Sequence, residues 1–371
     1  MIVAAIISML CVPPTFTEDQ LALIKSMANP TIESDTTNSL EQNDDAAIIG
    51  QRIFFDPQFS ANSEVSCATC HKPELYFTDG EAVSTGISKV TRNAPTVLNS
   101  AHQRWFFWDG RTDTLWGQPI QTMEHPAEMG ANRKDIAKTI TQDPAYSELW
   151  KELFGNTNNE DIVSIVSNVA KCLAAYETKL IAVDSPFDRF ALGDKKALSE
   201  SAQRGLQFFI DEGGCLRCHF GPWFSDGAFH TVGVGPLDGG PLRDSGRFDA
   251  IAKLKDAQFT AGSDQSDDQL GTRAIISKHI ARRQEDWGAF RTPSLRNVAK
   301  TAPFMHAGQL ATLEDVVEHY STLENFVTAD HHRETILVPL ELDDQGKSDL
   351  IAFLESLTGD LPPDHLLAPP K

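Results

Sequence analysis

Two pentapeptides of the form Cys-x-x-Cys-His carry the chemistry of this chain. The first is Cys67-Ala68-Thr69-Cys70-His71 and the second is Cys215-Leu216-Arg217-Cys218-His219. Two cysteines with two residues between them reach the two vinyl groups of one porphyrin and form thioethers. The adjoining histidine then lies under the iron as its proximal ligand. A bare Cys-x-x-Cys could also be half of a zinc site. No other cysteine pair exists to complete a zinc tetrahedron, so the motifs point to two covalent haem c groups, with a zinc module as the remote alternative that the colour of the purified protein separates. Of the two remaining cysteines, Cys11 lies in an apolar N-terminal run and Cys172 in a helical stretch, where it reads as a buried thiol.

The elements around the motifs repeat. Ahead of the first stands Gly50-Gln51-Arg52-Ile53-Phe54-Phe55-Asp56, and after it Phe77-Thr78-Asp79-Gly80. Ahead of the second stands Gln203-Arg204-Gly205-Leu206-Gln207-Phe208-Phe209-Ile210-Asp211, and after it Phe224-Ser225-Asp226-Gly227. Helix, motif and turn recur in one order, which means two related haem domains rather than one domain with two cofactors. Residues 31–45 read as a loose acidic lead-in and 46–55 as a helix. Ile162, Ile165, Val166, Val169, Leu173, Tyr176 and Leu180 recur at helical spacing and predict a buried helix face. Residues 184–198, with Pro186 and Gly193, read as a linker, after which Ser199 caps the next helix and Gly213-Gly214 ends it. Thr312-Leu313-Glu314-Asp315 opens a capped helix with Val316, Val317 and Tyr320 on one face. Residues 343–357 form a last amphipathic helix with Leu350, Phe353, Leu354 and Leu357 inward, and 233–246 is a Gly/Pro-rich loop. No long alternating strand pattern is present. The expected fold is mainly α: two tandem cytochrome-c-like haem domains with the active region at their interface. The expected division is an apolar leader over 1–15, an N-terminal haem domain over 16–190, a C-terminal one over 191–361 and a frayed tail over 362–371.

A chain of 371 residues with 41% hydrophobic content can build two ordinary cores. The net charge of −20 and pI of about 4.9 argue against nucleic acid or an anionic membrane as partner. That charge suits a basic partner, such as a positively charged electron-donor protein, and serves solubility equally well. Residues 1–12, followed by Pro13-Pro14, are too short to span a bilayer and read as the apolar region of a secretory signal, although no Lys or Arg precedes them. Acylation at Cys11 stays open. Haem c is normally attached outside the cytoplasmic membrane, so the expected location is the periplasm.

Several further segments complete the pattern: Arg92-Asn93-Ala94-Pro95-Thr96-Val97-Leu98-Asn99, Phe107-Trp108-Asp109-Gly110-Arg111, Pro126-Ala127-Glu128-Met129, Phe187-Asp188-Arg189, Phe290-Arg291-Thr292-Pro293-Ser294-Leu295-Arg296-Asn297-Val298 and Thr301-Ala302-Pro303-Phe304-Met305-His306. Through them, from about residue 48 to 358, the chain resembles the bacterial dihaem cytochrome c peroxidase and MauG superfamily. The resemblance implies that His71 serves the peroxidatic haem, with Glu128 as its distal acid–base residue and Gln118 near the distal pocket. Unaided by the resemblance, Glu128 reads as a helix-terminal surface carboxylate. Where the family usually has proline, this chain has Thr122. Trp108 resembles the tryptophan that relays an electron hole between the haems, and would be a core aromatic in any case. Asn93, with the carbonyls of Thr301 and Pro303, resembles an interdomain calcium site.

His219 serves the second haem. The residue on its other face is a Met in the peroxidases and a Tyr in MauG. The family spacing from Pro303 leads to Tyr320, with Met305, His306 and His319 as competitors; His306 matches a histidine at the haem edge that bonds a propionate. The resemblance thus implies a peroxidase that reduces hydrogen peroxide with electrons from a cytochrome c or cupredoxin. The alternatives are a MauG-like enzyme that oxidises side chains of a protein substrate through a bis-high-valent dihaem state, and a non-catalytic dihaem electron-transfer cytochrome. In MauG a tryptophan lies two residues before the second haem motif, where this chain has Gly213; Trp223, Trp287 and Tyr176 are the other candidate hole relays. A homodimer is compatible with either enzyme.

Overall fold

The computed structural model of the chain describes residues 14–155, 161–328 and 336–371. Residues 1–13 of the expected leader, with Cys11, lie outside them. The helices are α1 (Glu18–Ser26), α2 (Asp44–Phe55), α3 (Cys67–Cys70), α4 (Gly117–Glu124), α5 (Arg133–Gln142), α6 (Pro144–Phe154), α7 (Ile162–Glu177), α8 (Pro186–Ala191), α9 (Glu200–Ile210), α10 (Arg247–Asp256), α11 (Thr272–His279), α12 (Leu313–Thr322) and α13 (Asp344–Glu355). Among the described residues the only sheet is an antiparallel pair, β1 (Phe229–His230) with β2 (Phe290–Arg291). None of the described helices is long and apolar enough to cross a membrane.

Two apolar cores form. The first gathers Ile49, Ile53 and Phe54 of α2, Ile120 and Met123 of α4, Ile136 and Ile140 of α5, Trp150 of α6 and the predicted inward face of α7. The second gathers Leu206 and Phe209 of α9, Leu313 and Val317 of α12 and Leu350, Phe353 and Leu354 of α13. In each core the helix ahead of the haem motif crosses a later helix at backbone contact. A Cβ on Gly50 would lie 2.0 Å from the Cys172 carbonyl oxygen of α7, and one on Gly205 would lie 1.9 Å from the Asp349 carbonyl oxygen of α13. Only glycine permits either crossing.

The internal repeat runs further than the haem neighbourhoods. At one constant offset, Asn99 pairs with Asn297 (φ 60° and 62°), Phe107 with Met305 (φ 64° and 72°) and Gly110 with Gly308 (φ 68° and 62°). Both asparagines donate to the same acceptor, the Ala182 carbonyl, at 3.0 and 3.1 Å. At the same offset Asn93 N–H donates to the His306 carbonyl (2.9 Å), and Arg291 N–H donates to the Trp108 carbonyl (2.8 Å). The halves therefore meet through reciprocal hydrogen bonds about a pseudo-twofold axis.

Two expectations change. Residues 184–198 are not an open linker: α8 lies there, with a capping box between Ser185 and Asp188 and Pro186 in its first turn. Its Phe187 is buried in the second core. Asp188 forms a bidentate ion pair with Arg296 (2.9 and 2.8 Å), each side chain 1% exposed. The tail does not fray. Gln51 donates to the carbonyls of His365 and Ala368 (2.6 Å each), and the Tyr176 hydroxyl donates to the Leu366 carbonyl (2.6 Å). The termini cross over, because the tail seals the first core while α1, expected with the N-terminal unit, buries Ile24 and Met27 in the second.

Candidate functional site

Each Cys-x-x-Cys-His motif holds its histidine in the same way. A tight helical turn brings His71 N–H onto the Cys67 carbonyl (2.9 Å) and His219 N–H onto the Cys215 carbonyl (2.8 Å). The chain then enters the left-handed region at Phe77 (φ 58°) and Phe224 (φ 50°). This turns the Phe77 carbonyl onto His71 Nδ1 (3.1 Å) and the Phe224 carbonyl onto His219 Nδ1 (2.8 Å). A carbonyl can only accept, so Nδ1 carries the proton and Nε2 keeps its lone pair, the tautomer that ligates a metal. Burial lowers the pKa of both imidazoles, which keeps them neutral.

Each motif faces its own cavity. The larger, of about 1440 Å³, is lined by Cys67, Cys70 and His71 together with Gln118, Thr122, Glu128 and Arg111. Glu128 sits on the turn after α4, where its backbone is fixed on both sides. Its N–H donates to the His125 carbonyl (3.0 Å), and its carbonyl accepts from Ile87 N–H (2.9 Å). Burial raises the Glu128 pKa above the ordinary carboxylate value, while His125, Arg111 and a hydrogen bond from Thr122 oppose that rise. His125 Nδ1 stands 3.5 Å from Glu128 Oε1. Gln118 donates to Thr122 Oγ1 (3.0 Å). Arg111 covers the Phe107 ring at 3.4 Å and pairs with buried Asp109 (3.1 Å).

The smaller cavity, of about 320 Å³, is lined by Cys215, Cys218, His219, Met305, His306 and Tyr320. Burial pushes the Tyr320 phenol up, with Cys218 and Cys215 adding to the effect. The Tyr320 hydroxyl meets no hydrogen-bond partner among the described residues. His319, one position away, turns aside and bonds the Val232 carbonyl (2.9 Å). His306 stacks on Phe290 (centroids 3.7 Å apart) and approaches Gln309 (3.1 Å), and burial lowers its pKa to about 4.

Trp108 and His306, partners in the repeat, line both cavities, as do Asn93 and Arg291. The Trp108 indole N–H donates to the Asn93 carbonyl (3.0 Å) and is held there. Arg291 is 6% exposed and has no acidic partner among the described residues, and its Nε finds no acceptor. A buried cation of this kind needs an anion beside it. Haem propionates would meet that need, so the two neutral histidines, the two cysteine pairs and this guanidinium fit haem in both cavities. Asn93, Thr301 and Pro303 also line the smaller cavity. Asn93 commits its amide N–H to the Glu81 carbonyl (2.8 Å), and the Thr301 and Pro303 carbonyls accept no hydrogen bond among the described residues. These are oxygen donors of the type a hard cation takes.

The cysteine pairs line separate cavities, which does not fit a single four-cysteine zinc site. Among the candidate hole relays, Tyr176 is a core residue packed on Phe54 at 5.3 Å, while Trp223 stacks on His102 at 4.3 Å. The sequence offered no role for Arg111 or Arg291. Both lie inside segments that carry the resemblance, but a guanidinium reads as a site residue only once its burial is known.

A sequence model of the family described as di-haem cytochrome c peroxidase matches residues 44–196. The methylamine utilization protein MauG of Methylorubrum extorquens is 32% identical over 314 residues, covering 83% of this chain and 77% of its own. The cytochrome-c peroxidase IdrP2 of Denitromonas iodatirespirans is 34% identical over 331 residues, covering 88% and 84%. Among solved structures, a MauG-like protein associated with microbial copper homeostasis aligns with TM-score 0.69 at 28% identity, over 92% of this chain and 95% of its own. The diheme peroxidase BthA of Burkholderia thailandensis aligns with TM-score 0.67 at 23% identity, over 90% and 94%, a likeness of fold.

Proposed function

The chain belongs to the di-haem cytochrome c peroxidase and MauG family of haem-dependent oxidoreductases, and from that premise we propose that it reduces hydrogen peroxide to water in the cavity of His71. Each peroxide takes two electrons and two protons and leaves as two waters. The electrons enter from an external donor at the His219 side, and a basic cytochrome c or cupredoxin suits the net charge of −20. The observation that carries this reading is an asymmetry: Glu128 and Gln118 line the cavity of His71 and not that of His219, whereas Tyr320 does the reverse.

When bound, haem supplies an iron that binds peroxide and exchanges electrons. His71 would hold that iron from the proximal side, with thioethers from Cys67 and Cys70. Glu128 accepts the peroxide proton as a carboxylate and returns it to the departing oxygen as an acid. Burial raises its pKa, so the ionised form is lost on acidification at a higher pH than for a free carboxylate. Trp108, pinned by Asn93, lies on the path between the two cavities. On the other side His219 and Tyr320 would close the second iron, with Arg291 and His306 against the propionates. Asn93, Thr301 and Pro303 would hold a calcium ion that ties the halves together. The site of action is the periplasm, where haem c is attached.

Tyr320 also favours a second reading, in which peroxide drives oxidation of side chains on a protein substrate, as the phenol-lined second cavity suits a MauG-like enzyme. Gly213, where MauG has its tryptophan, argues against the same exit route. Stopped-flow mixing of the Glu128→Gln protein with peroxide tests the assignment shared by both readings. The rate falls by about 10²–10⁴-fold; an unchanged rate overturns it.

A further inference from the structure

Reducing one peroxide to two waters consumes two protons, and the cavity of His71 must receive them from solvent. Glu128 can move the proton that peroxide brings, but it has to be recharged to supply those two. His125 is placed to recharge it. It caps the C-terminal end of α4, three residues ahead of Glu128, and both side chains line the larger cavity. Its Nδ1 stands 3.5 Å from Glu128 Oε1, and of the two side chains the imidazole is the more exposed, 50% against 26%. The backbone between them is fixed. The His125 carbonyl accepts from Glu128 N–H and from Gly130 N–H, both at 3.0 Å, and Ile87 N–H holds the Glu128 carbonyl at 2.9 Å. His125 N–H donates to the Gln121 carbonyl at 3.0 Å, which ties the turn to α4.

We propose that His125 is the proton-delivery residue of this cavity: its imidazole takes protons from solvent at Nε2 and passes them from Nδ1 to the Glu128 carboxylate. This rests on the reading of Glu128 as the acid–base group. In each pass the imidazolium loses its Nδ1 proton, the carboxylate becomes a carboxylic acid, and the neutral ring is reprotonated from water at Nε2. Two passes serve one peroxide. The two ring nitrogens let one side chain accept on its outer edge and donate on its inner edge. The charged ring is favoured by the carboxylate and by the carbonyl end of α4. Burial raises the Glu128 pKa, which brings it closer to that of an imidazole and eases the transfer. The other groups around the pair do not compete. Glu124, beside His125, is held by Arg133, whose Nε donates to one carboxylate oxygen and Nη2 to the other (3.1 Å). Arg111 faces Glu128 from the loop before α4 and pairs with Asp109, and Cys70 carries no charge as a thioether. His306 lines the same cavity, but burial lowers its pKa to about 4. Lys89, Lys253 and Asp256 also line it. Arginine and lysine hold their protons too tightly to deliver them near neutrality, and a free aspartate holds its proton too weakly.

The test compares the native holoprotein with His125→Ala, His125→Gln and Glu128→Gln. Peroxide reduction is driven by ascorbate with tetramethylphenylenediamine, a small donor that needs no docking site, at saturating donor and peroxide. In His125→Ala turnover falls by about 10²-fold, the lower end of what a positioned acid–base group contributes. Added 2,6-dimethylpyridine, a base of imidazole-like strength whose methyl groups keep it off the iron, restores the rate as its concentration rises. His125→Gln keeps a hydrogen-bonding side chain but transfers no proton, so it behaves like His125→Ala and is rescued by the same base. A second readout is independent of turnover. In an NMR titration of the holoprotein, the His125 ring midpoint falls by about one unit when Glu128→Gln removes the carboxylate. A native rate in His125→Ala or His125→Gln, a loss that the base does not restore, or an unmoved ring midpoint overturns the proposal. If Glu128→Gln itself reduces peroxide at the native rate, the reading of Glu128 fails, and the relay with it.

Discussion

His71 and His219 are alike in tautomer, burial and backbone partner, and only what faces them makes them unequal. Nothing in either pentapeptide encodes that difference. Tyr320 is the sharpest case, a half-buried phenol that lines the cavity of His219 and lacks a hydrogen-bond partner among the described residues. Replacing it with Phe removes the oxygen and keeps the ring. The low-spin spectrum of one haem changes and the other haem keeps its own; two unaltered spectra would show that Tyr320 is no ligand. The cofactor residues were legible in the sequence, because Cys-x-x-Cys-His is a local code. Arg291 was not, since its meaning lies in being buried without an acid partner, and partners are chosen by the fold.

Elements carry the site by crossing where glycine lets backbones touch. Gly50 and Gly205 do this in the two halves, each ahead of a haem motif. The helices were legible wherever a face repeated or a cap was spelled out, as in α7, α12 and α13. α8 was not, because Pro186 and Gly193 look like linker punctuation. Ser185 and Asp188 form a capping box there, with Pro186 inside the first turn. Its Asp188 is held by Arg296, which also donates to the carbonyls of Pro222 (2.7 Å) and Met27 (3.2 Å). One guanidinium thereby joins α8, the end of α1 and the loop after the second haem motif. Asp188→Ala leaves that cation buried and unpaired, and lowers stability by about 3–5 kcal/mol. Urea denaturation measures this; a loss below about 1 kcal/mol would show that the clamp is unimportant.

At the scale of the molecule, two copies of one motif face each other and exchange terminal segments. The haem neighbourhoods announced the repeat. Its continuation through Asn93 and Arg291, Asn99 and Asn297, and Trp108 and His306 was hidden, because few side chains match while the backbone does. Crossed termini could not be read either, since α1 and the tail find their partners only across the folded chain. The same symmetry sets out the division of labour. Glu128 and Gln118 line one cavity and Tyr320 the other, and the proposed function leaves one iron open to peroxide and closes the other. Electron paramagnetic resonance of the fully oxidised holoprotein, before and after one equivalent of peroxide, tests this directly. One high-spin and one low-spin ferric haem are expected, with the high-spin signal consumed by peroxide. Two low-spin signals that survive peroxide unchanged would contradict the account.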